Sequence, residues 1–139
     1  MNKIAVVYWS GTGNTEMLAP AVLEGIGVDG ELFQASEVND EAIERFNKIA
    51  FGCPSMGAEE LEDSEFLPMF EKVKGKLKGK DVVLFGSYDW GSGEWMDAWE
   101  NEVMAVGANL VNEGLIIHLA PDSEGLEKAK NLGKSLKAA

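Results

Sequence analysis

The sequence predicts an α/β fold: a doubly wound, five-stranded parallel sheet in the order 2-1-3-4-5, with helices on both faces. Three observations predict it. Short continuous apolar runs, such as Ile4-Ala5-Val6-Val7-Tyr8-Trp9 and Val82-Val83-Leu84-Phe85, read as strands covered on both sides, as parallel strands are. Strand and helix patterns alternate five times along the chain, which means βαβ units with right-handed crossovers. Three loops rich in Gly, Ser and Thr each follow an apolar run, where ligand-binding loops of open parallel sheets lie.

The elements follow in order. Residues 4–9 are the first strand, and Asn14 to Ile26 a helix with Met17, Leu18, Ala21, Val22 and Ile26 on one face. Pro20 falls inside that helix, where it removes a backbone bond and should kink it. Glu31 to Gln34 is a short strand, Asp40 to Phe46 a helical turn, and Lys48 to Cys53 an apolar strand. Ser64 to Leu77 is a helix with Ser64 as its cap. Asp81 to Ser87 is the fourth strand and Gly93 to Val106 an amphipathic helix, with Trp95 and Trp99 at core spacing. Ala108 to Leu119 is the fifth strand, interrupted near Asn112-Glu113-Gly114. Asp122 to Lys137 is the last helix, capped by Asp122 or Ser123 behind Pro121.

A chain of 139 residues and 15.0 kDa fits one domain, residues 1–139, able to bury a core without covalent staples. The single cysteine, Cys53, forms no internal disulfide and reads as an inert packed thiol. Metal-ligand spacings are missing, and the lone His118 has no visible partner. With no apolar stretch of membrane-spanning length and no leader pattern, the chain reads as cytoplasmic. Twelve Lys and Arg stand against twenty-four Asp and Glu, a formal net charge of −12. That argues against nucleic acid and anionic membrane as partners and favours basic ones.

The first loop, Ser10-Gly11-Thr12-Gly13-Asn14-Thr15, is suited to a phosphate. Its glycines allow close approach and positive φ. Its hydroxyls and amide donate, and the following helix turns its free N–H groups toward the loop. No Lys or Arg lies between Ile4 and Glu44, so the donors are neutral, unlike those of a nucleotide-triphosphatase loop with its Lys. A plain strand-to-helix turn needs glycine and a cap, not six such residues in a row. The second and third loops, Pro54-Ser55-Met56-Gly57-Ala58-Glu59 and Ser87-Tyr88-Asp89-Trp90-Gly91-Ser92-Gly93, carry a Met and a Trp able to cover a flat ring. In the order 2-1-3-4-5 all three loops emerge at one sheet edge, beside the switch point.

Tyr8-Trp9-Ser10-Gly11-Thr12-Gly13-Asn14-Thr15 resembles the phosphate signature of flavodoxins. Gly52-Cys53-Pro54-Ser55-Met56-Gly57 and Leu84-Phe85-Gly86-Ser87-Tyr88 with Trp90-Gly91 resemble the second and third flavin loops of the clostridial-type, short-chain members. The resemblance covers the whole chain. It implies a flavodoxin-like fold and non-covalently bound FMN. Its phosphate would lie on Ser10, Thr12, Asn14 and Thr15, its ring between Met56 and Trp90, and its pyrimidine end on Glu59. The Gly57-Ala58 peptide matches the family's switch position, with Ala58 tolerating positive φ less well than Gly or Asn. The implied function is a low-potential one-electron carrier moving between semiquinone and hydroquinone, with no substrate turnover of its own. Its expected partners are basic docking faces of flavin reductases and iron–sulfur enzymes, met as a monomer.

Acidic residues crowd the second and third loops: Glu59, Glu60, Glu62, Asp63 and Glu65, then Asp89, Glu94, Asp97, Glu100 and Glu102. Negative charge opposes an anionic reduced ring. Asp89 departs from the Gly that relatives tend to carry between this Tyr and Trp. Lys72, Lys74, Lys76, Lys78 and Lys80, with Lys128, Lys130, Lys134 and Lys137, fall at helix ends expected at the opposite edge. Two other readings compete: a small FMN-dependent reductase of the quinone-reductase kind, and a flavin-free phosphate-binding module. The reductase would need a pocket over the ring, where Trp90 stands.

Overall fold

The computed structural model describes residues 4–11, 13–57 and 59–139. The strands are β1 (Ile4–Tyr8), β2 (Gly30–Gln34), β3 (Lys48–Gly52), β4 (Asp81–Tyr88), β5 (Asn109–Leu110) and β6 (Leu115–His118). All pair in parallel, in the order β2-β1-β3-β4-β5, with β6 also on β4. β5 and β6 are the two halves of the fifth strand, interrupted at the expected Asn112-Glu113-Gly114. The Glu100 carboxylate enters the break and accepts the N–H of Gly114.

The helices are α1 (Asn14–Ile26), α2 (Asp40–Glu44), α3 (Phe66–Val73), α4 (Glu94–Ala105) and α5 (Ser123–Ala138). Strand side chains alternate between two cores. Val6, Ala50, Val83 and Phe85 face α1 and α5, whose Leu18, Val22, Leu132 and Leu136 close one core. Ala5, Val7, Ile49, Phe51 and Leu84 face α3 and α4, whose Phe66, Phe70, Trp95 and Trp99 close the other. Phe51 meets Phe70 edge-on at 5.4 Å between ring centres, and Phe66 meets Trp99 likewise at 5.4 Å. α1 and α5 touch backbone to backbone: a Cβ on Gly133 would lie 2.1 Å from the carbonyl oxygen of Val22. That contact fixes the helix on which the phosphate loop sits.

Three local expectations change. α3 starts at Phe66, and after Val73 the chain tightens into a 3-10 turn, Lys74–Lys76. Ser64 is not its cap. The Glu62 carboxylate takes that place, accepting the N–H groups of Ser64 (2.7 Å), Glu65 (2.8 Å) and Phe66 (2.7 Å). Met17 is 48% exposed, at the edge of the groove between α1 and α5. Pro20 is exposed, and α1 runs through it from Asn14 to Ile26. Asp122 caps α5 as expected, its side chain accepting from the Gly125 N–H at 2.8 Å.

Candidate functional site

Parallel strands place the carboxyl ends of β1, β3 and β4 side by side. A cleft of about 290 Å3 opens there, lined by Gly11, Asn14, Pro54, Ser55, Met56, Ser87, Tyr88, Asp89 and Leu119. All three loops contribute, so the convergence expected from the strand order is present. Backbone bonds stitch the loops together. Trp9 N–H donates to Gly52 O at 3.0 Å, Cys53 N–H to Phe85 O at 3.1 Å, and Ser55 N–H to Ser87 O at 3.0 Å.

The first loop is held by its own hydrogen bonds. Ser10 Oγ accepts the Gly13 N–H at 3.1 Å, and Gly13 sits at φ 95°, a left-handed conformation that suits glycine. Among the described residues, the first N–H of α1 to bond back is that of Met17, to Gly13 O at 3.0 Å. The amides before it at the helix start have no intrahelical acceptor. They lie at the positive end of the helix dipole and suit an anion. Thr15 is fully buried, and its hydroxyl pairs with Ser87 Oγ at 2.8 Å, locking the first loop to the third. Trp9 backs the loop: its indole N–H donates to Glu65 at 3.1 Å, and its ring lies where a Cβ on Gly11 would come within 2.9 Å. Thr12 lies outside the described residues.

The second loop is a closed hairpin-like turn. Met56 and Glu60 exchange backbone bonds at 2.8 and 2.9 Å, and the Glu62 N–H reaches Cys53 Sγ at 3.4 Å. Gly57 sits at the tip with φ 53°; Ala58, beside it, lies outside the described residues. Burial pushes the Cys53 thiol up and keeps it protonated, which agrees with an inert packed role. Burial also opposes ionisation of Glu62, but the bonds from Ser64, Phe66 and Glu65 outweigh it and hold that carboxyl below its usual range.

Glu59 joins the second loop to the third. Its Oε1 accepts the N–H groups of Gly93 at 3.0 Å and Glu94 at 2.9 Å, capping α4. Its own φ is 56°, and its carboxyl packs where a Cβ on Gly91 would lie 2.6 Å away. In the third loop, Trp90 is 59% exposed and stands outside the cleft lining, while Met56, 39% exposed, lies within it. Two large apolar side chains left to water at one edge suit an apolar ligand surface.

Two residues of the site carried no signal as ligand-facing groups. Leu119 lines the cleft at φ 60°, its N–H donating to Tyr88 O at 2.7 Å. His118, read as an edge residue, is exposed; its Nε2 lies 3.2 Å from Asp89 O and its ring 5.0 Å from that of Tyr88. It supports the third loop from β6.

The charge distribution is polar. Among the described residues, no Lys or Arg lines the cleft. At the strand starts, Lys48 donates to Lys137 O at 2.8 Å and Lys80 to Ile43 O at 3.1 Å, so these cations sit at the far edge, whereas Lys128, expected there too, pairs with Glu124 in the first turn of α5. Among the described residues, no group of three His, Cys, Asp or Glu is placed to hold a metal ion, and no helix is long and apolar enough to cross a membrane. The donor set therefore suits a phosphomonoester on neutral amides and hydroxyls, joined to a flat ring beside Met56. The residues fit FMN.

Comparison with known proteins agrees. The flavodoxin family model matches residues 6–133. A flavodoxin of Megasphaera elsdenii is 43% identical over 135 residues, covering 95% of this chain and 96% of that one. A flavodoxin of Clostridium beijerinckii is 40% identical over 134 residues, covering 94% and 96%. The solution structure of the two-electron reduced Megasphaera elsdenii flavodoxin superposes with a TM-score of 0.90 at 42% identity, over 98% of this chain and 99% of that one. The chain belongs to the flavodoxin family, whose members bind FMN and carry electrons between redox proteins rather than turn over substrates.

Proposed function

We propose that this flavodoxin is a low-potential, one-electron carrier, that residues 1–139 act as one domain, and that it works as a monomer in the cytoplasm. The observation that carries the reading is the cleft itself: a neutral anion cradle at one end, Met56 and Trp90 exposed beside it, and no cation along its walls. FMN supplies the one-electron chemistry when bound. Ser10 and Asn14, with Thr12 and the backbone amide of Thr15, hold the phosphate, while the Thr15 hydroxyl stays on Ser87. Pro54, Ser55, Met56 and Gly57 cover one side of the ring, and Tyr88, Asp89, Trp90 and Gly91 the other. Glu59, already at the junction of the two loops, meets the polar end of the ring.

The chain's own residues set the potential. Gly57 tolerates both signs of φ, so the Gly57-Ala58 peptide can turn either its N–H or its carbonyl toward the cleft. Each such bond contributes about 0.5–1.5 kcal/mol net, and about 1.4 kcal/mol corresponds to about 59 mV for one electron. Glu60, Asp63, Asp89 and Glu94, exposed on the two loops, oppose added negative charge in the cleft. The same acids, with a formal net charge of −12, favour basic docking faces such as those of flavin reductases and iron–sulfur enzymes, and disfavour nucleic acid.

A reductive titration of the FMN-loaded protein tests the reading. Two separated one-electron steps, the second far below the first, are expected. A single two-electron step would favour the reductase alternative, which the family match does not support.

A further inference from the structure

We propose that His118 is a positioning residue of the electron-transfer site, whose ring holds the third loop and whose charge sets the second reduction potential. The inference rests on the electron-carrier reading and adds to it a residue that tunes the cofactor. Three successive carbonyls of that loop are each held from outside it. Ser87 O accepts the Ser55 N–H at 3.0 Å, and Tyr88 O the Leu119 N–H at 2.7 Å. Asp89 O faces His118 Nε2 at 3.2 Å. The first two holders are backbone amides, whereas the third is a side chain of the kind that changes charge near neutrality. A carbonyl only accepts, so the contact is a bond only when Nε2 carries a proton. The imidazolium and one neutral tautomer meet that condition, and the other tautomer sets lone pairs against each other.

The end of β6 is held firmly enough to aim the ring. Leu119, just beyond it, takes φ 60°, which costs a non-glycine residue energy and persists where neighbours over-determine it. Ile116 packs on Gly93 before α4, where a Cβ would lie 2.9 Å from it, and Ile117 packs on Gly125 of α5, at 3.3 Å. The His118 ring rests 5.0 Å from that of Tyr88, which lies 5.7 Å from Trp95. Its own edge is exposed, so its proton exchanges with solvent. The Asp89 carbonyl shares one planar peptide with the Trp90 N–H. A bond to that carbonyl polarises the whole unit. Positive charge on the ring also favours added negative charge in the cleft, whose described lining holds no Lys or Arg. The other titratable groups on the surrounding elements are Tyr88 and Asp89, Glu59 and Glu94 at the start of α4, and Asp122, Glu124 and Lys128 at the start of α5. Glu59 and Asp122 accept backbone amides, Glu94 takes the Ser92 hydroxyl at 3.4 Å, and Glu124 faces Lys128 at 3.7 Å. Carboxylates and ammonium groups keep their charge near neutrality, whereas an imidazole changes its own.

The test compares the FMN-loaded wild type with His118→Gln, which keeps a neutral N–H donor, and His118→Leu, which keeps none. In the oxidised wild type, the Trp90 backbone amide resonance is expected to move together with the His118 ring resonances between about pH 8.5 and about pH 5.5, the ordinary histidine range. Both variants are expected to lose that step. The second potentials of wild type and His118→Gln are expected to be level at the alkaline end. At the acid end the wild type is expected to lie higher by on the order of threefold in the redox equilibrium, which is about 28 mV at about 59 mV per tenfold. Linkage requires the converse, so the ring should bind its proton about threefold more tightly in the fully reduced protein than in the oxidised one. His118→Leu, which also frees the loop, is expected to bind FMN about fivefold more weakly in a titration of the apoprotein. Parallel pH profiles of the potential in wild type and His118→Gln, a Trp90 amide that ignores the ring, or wild-type FMN affinity in His118→Leu would overturn the inference. A wild type reduced in a single two-electron step would instead overturn the carrier reading, and this inference with it, while leaving the amide step in place.

Discussion

Replacing Glu62 with Ala should loosen the second loop and the helix behind it together. The side chain is 3% exposed and accepts three backbone N–H groups and the Ser64 hydroxyl. Ser64 and Glu65 are exposed and can return their amides to water, whereas Phe66 is fully buried. One buried amide left without a partner costs about 1–3 kcal/mol, and a lost helix cap about 1 kcal/mol. Together they predict a loss of about 2–4 kcal/mol in urea denaturation of the apoprotein. The same loss should depend on pH. The folded carboxyl titrates below its usual range, so its contribution is complete above the unfolded pKa of about 4.3 and fades as pH falls through the lower folded value. The difference between wild type and Glu62→Ala should therefore be constant near neutrality and shrink in acid. FMN affinity should fall as well, because the carboxylate ties the segment that leaves the second loop to the start of α3. A variant within about 0.5 kcal/mol of wild type at pH 7, or a difference that grows in acid, would refute the capping role.

Three further outcomes are expected. Thr15→Val, which strips Ser87 Oγ and the Ser87 N–H of their shared partner, should cost about 1–3 kcal/mol by thermal or urea unfolding, and stability within error of wild type would dismiss the tie between first and third loops. Trp90→Ala should weaken FMN binding about tenfold through lost ring contact in a fluorescence titration of the apoprotein, whereas unchanged affinity would remove this exposed residue from the site. Asp89→Gly should raise the second reduction potential by on the order of 20–40 mV in low-salt potentiometry, and a potential insensitive to the change would leave Asp89 a solvated turn residue.

Local signals carried most of the fold. The bounds of α1 were legible because Gly13 and Gly27, both at positive φ, punctuate a helical pattern at each end. The break in the fifth strand was legible because Asn112-Glu113-Gly114 cannot sustain an apolar ladder. The missed features are long-range or use long side chains. Short polar residues announce a helix cap, so Glu62 reaching forward four residues to Phe66 leaves no such signature. The Thr15–Ser87 pair spans 72 residues, and the Glu59 bonds to the start of α4 span 34 and 35. Such contacts exist only once the sheet has brought the loops to one edge. Met17 shows the converse: its apolar character fits the helical stripe, yet it is left half exposed at the groove between α1 and α5.

The central claim is that neutral donors at the start of α1 hold a phosphomonoester. Titrating the apoprotein with FMN and with riboflavin, identical except for the phosphate, tests it most directly. Two or more hydrogen bonds to an anion at about 1.5–3 kcal/mol each predict FMN binding about 10²–10⁴-fold tighter. Equal affinity for the two flavins would contradict the account.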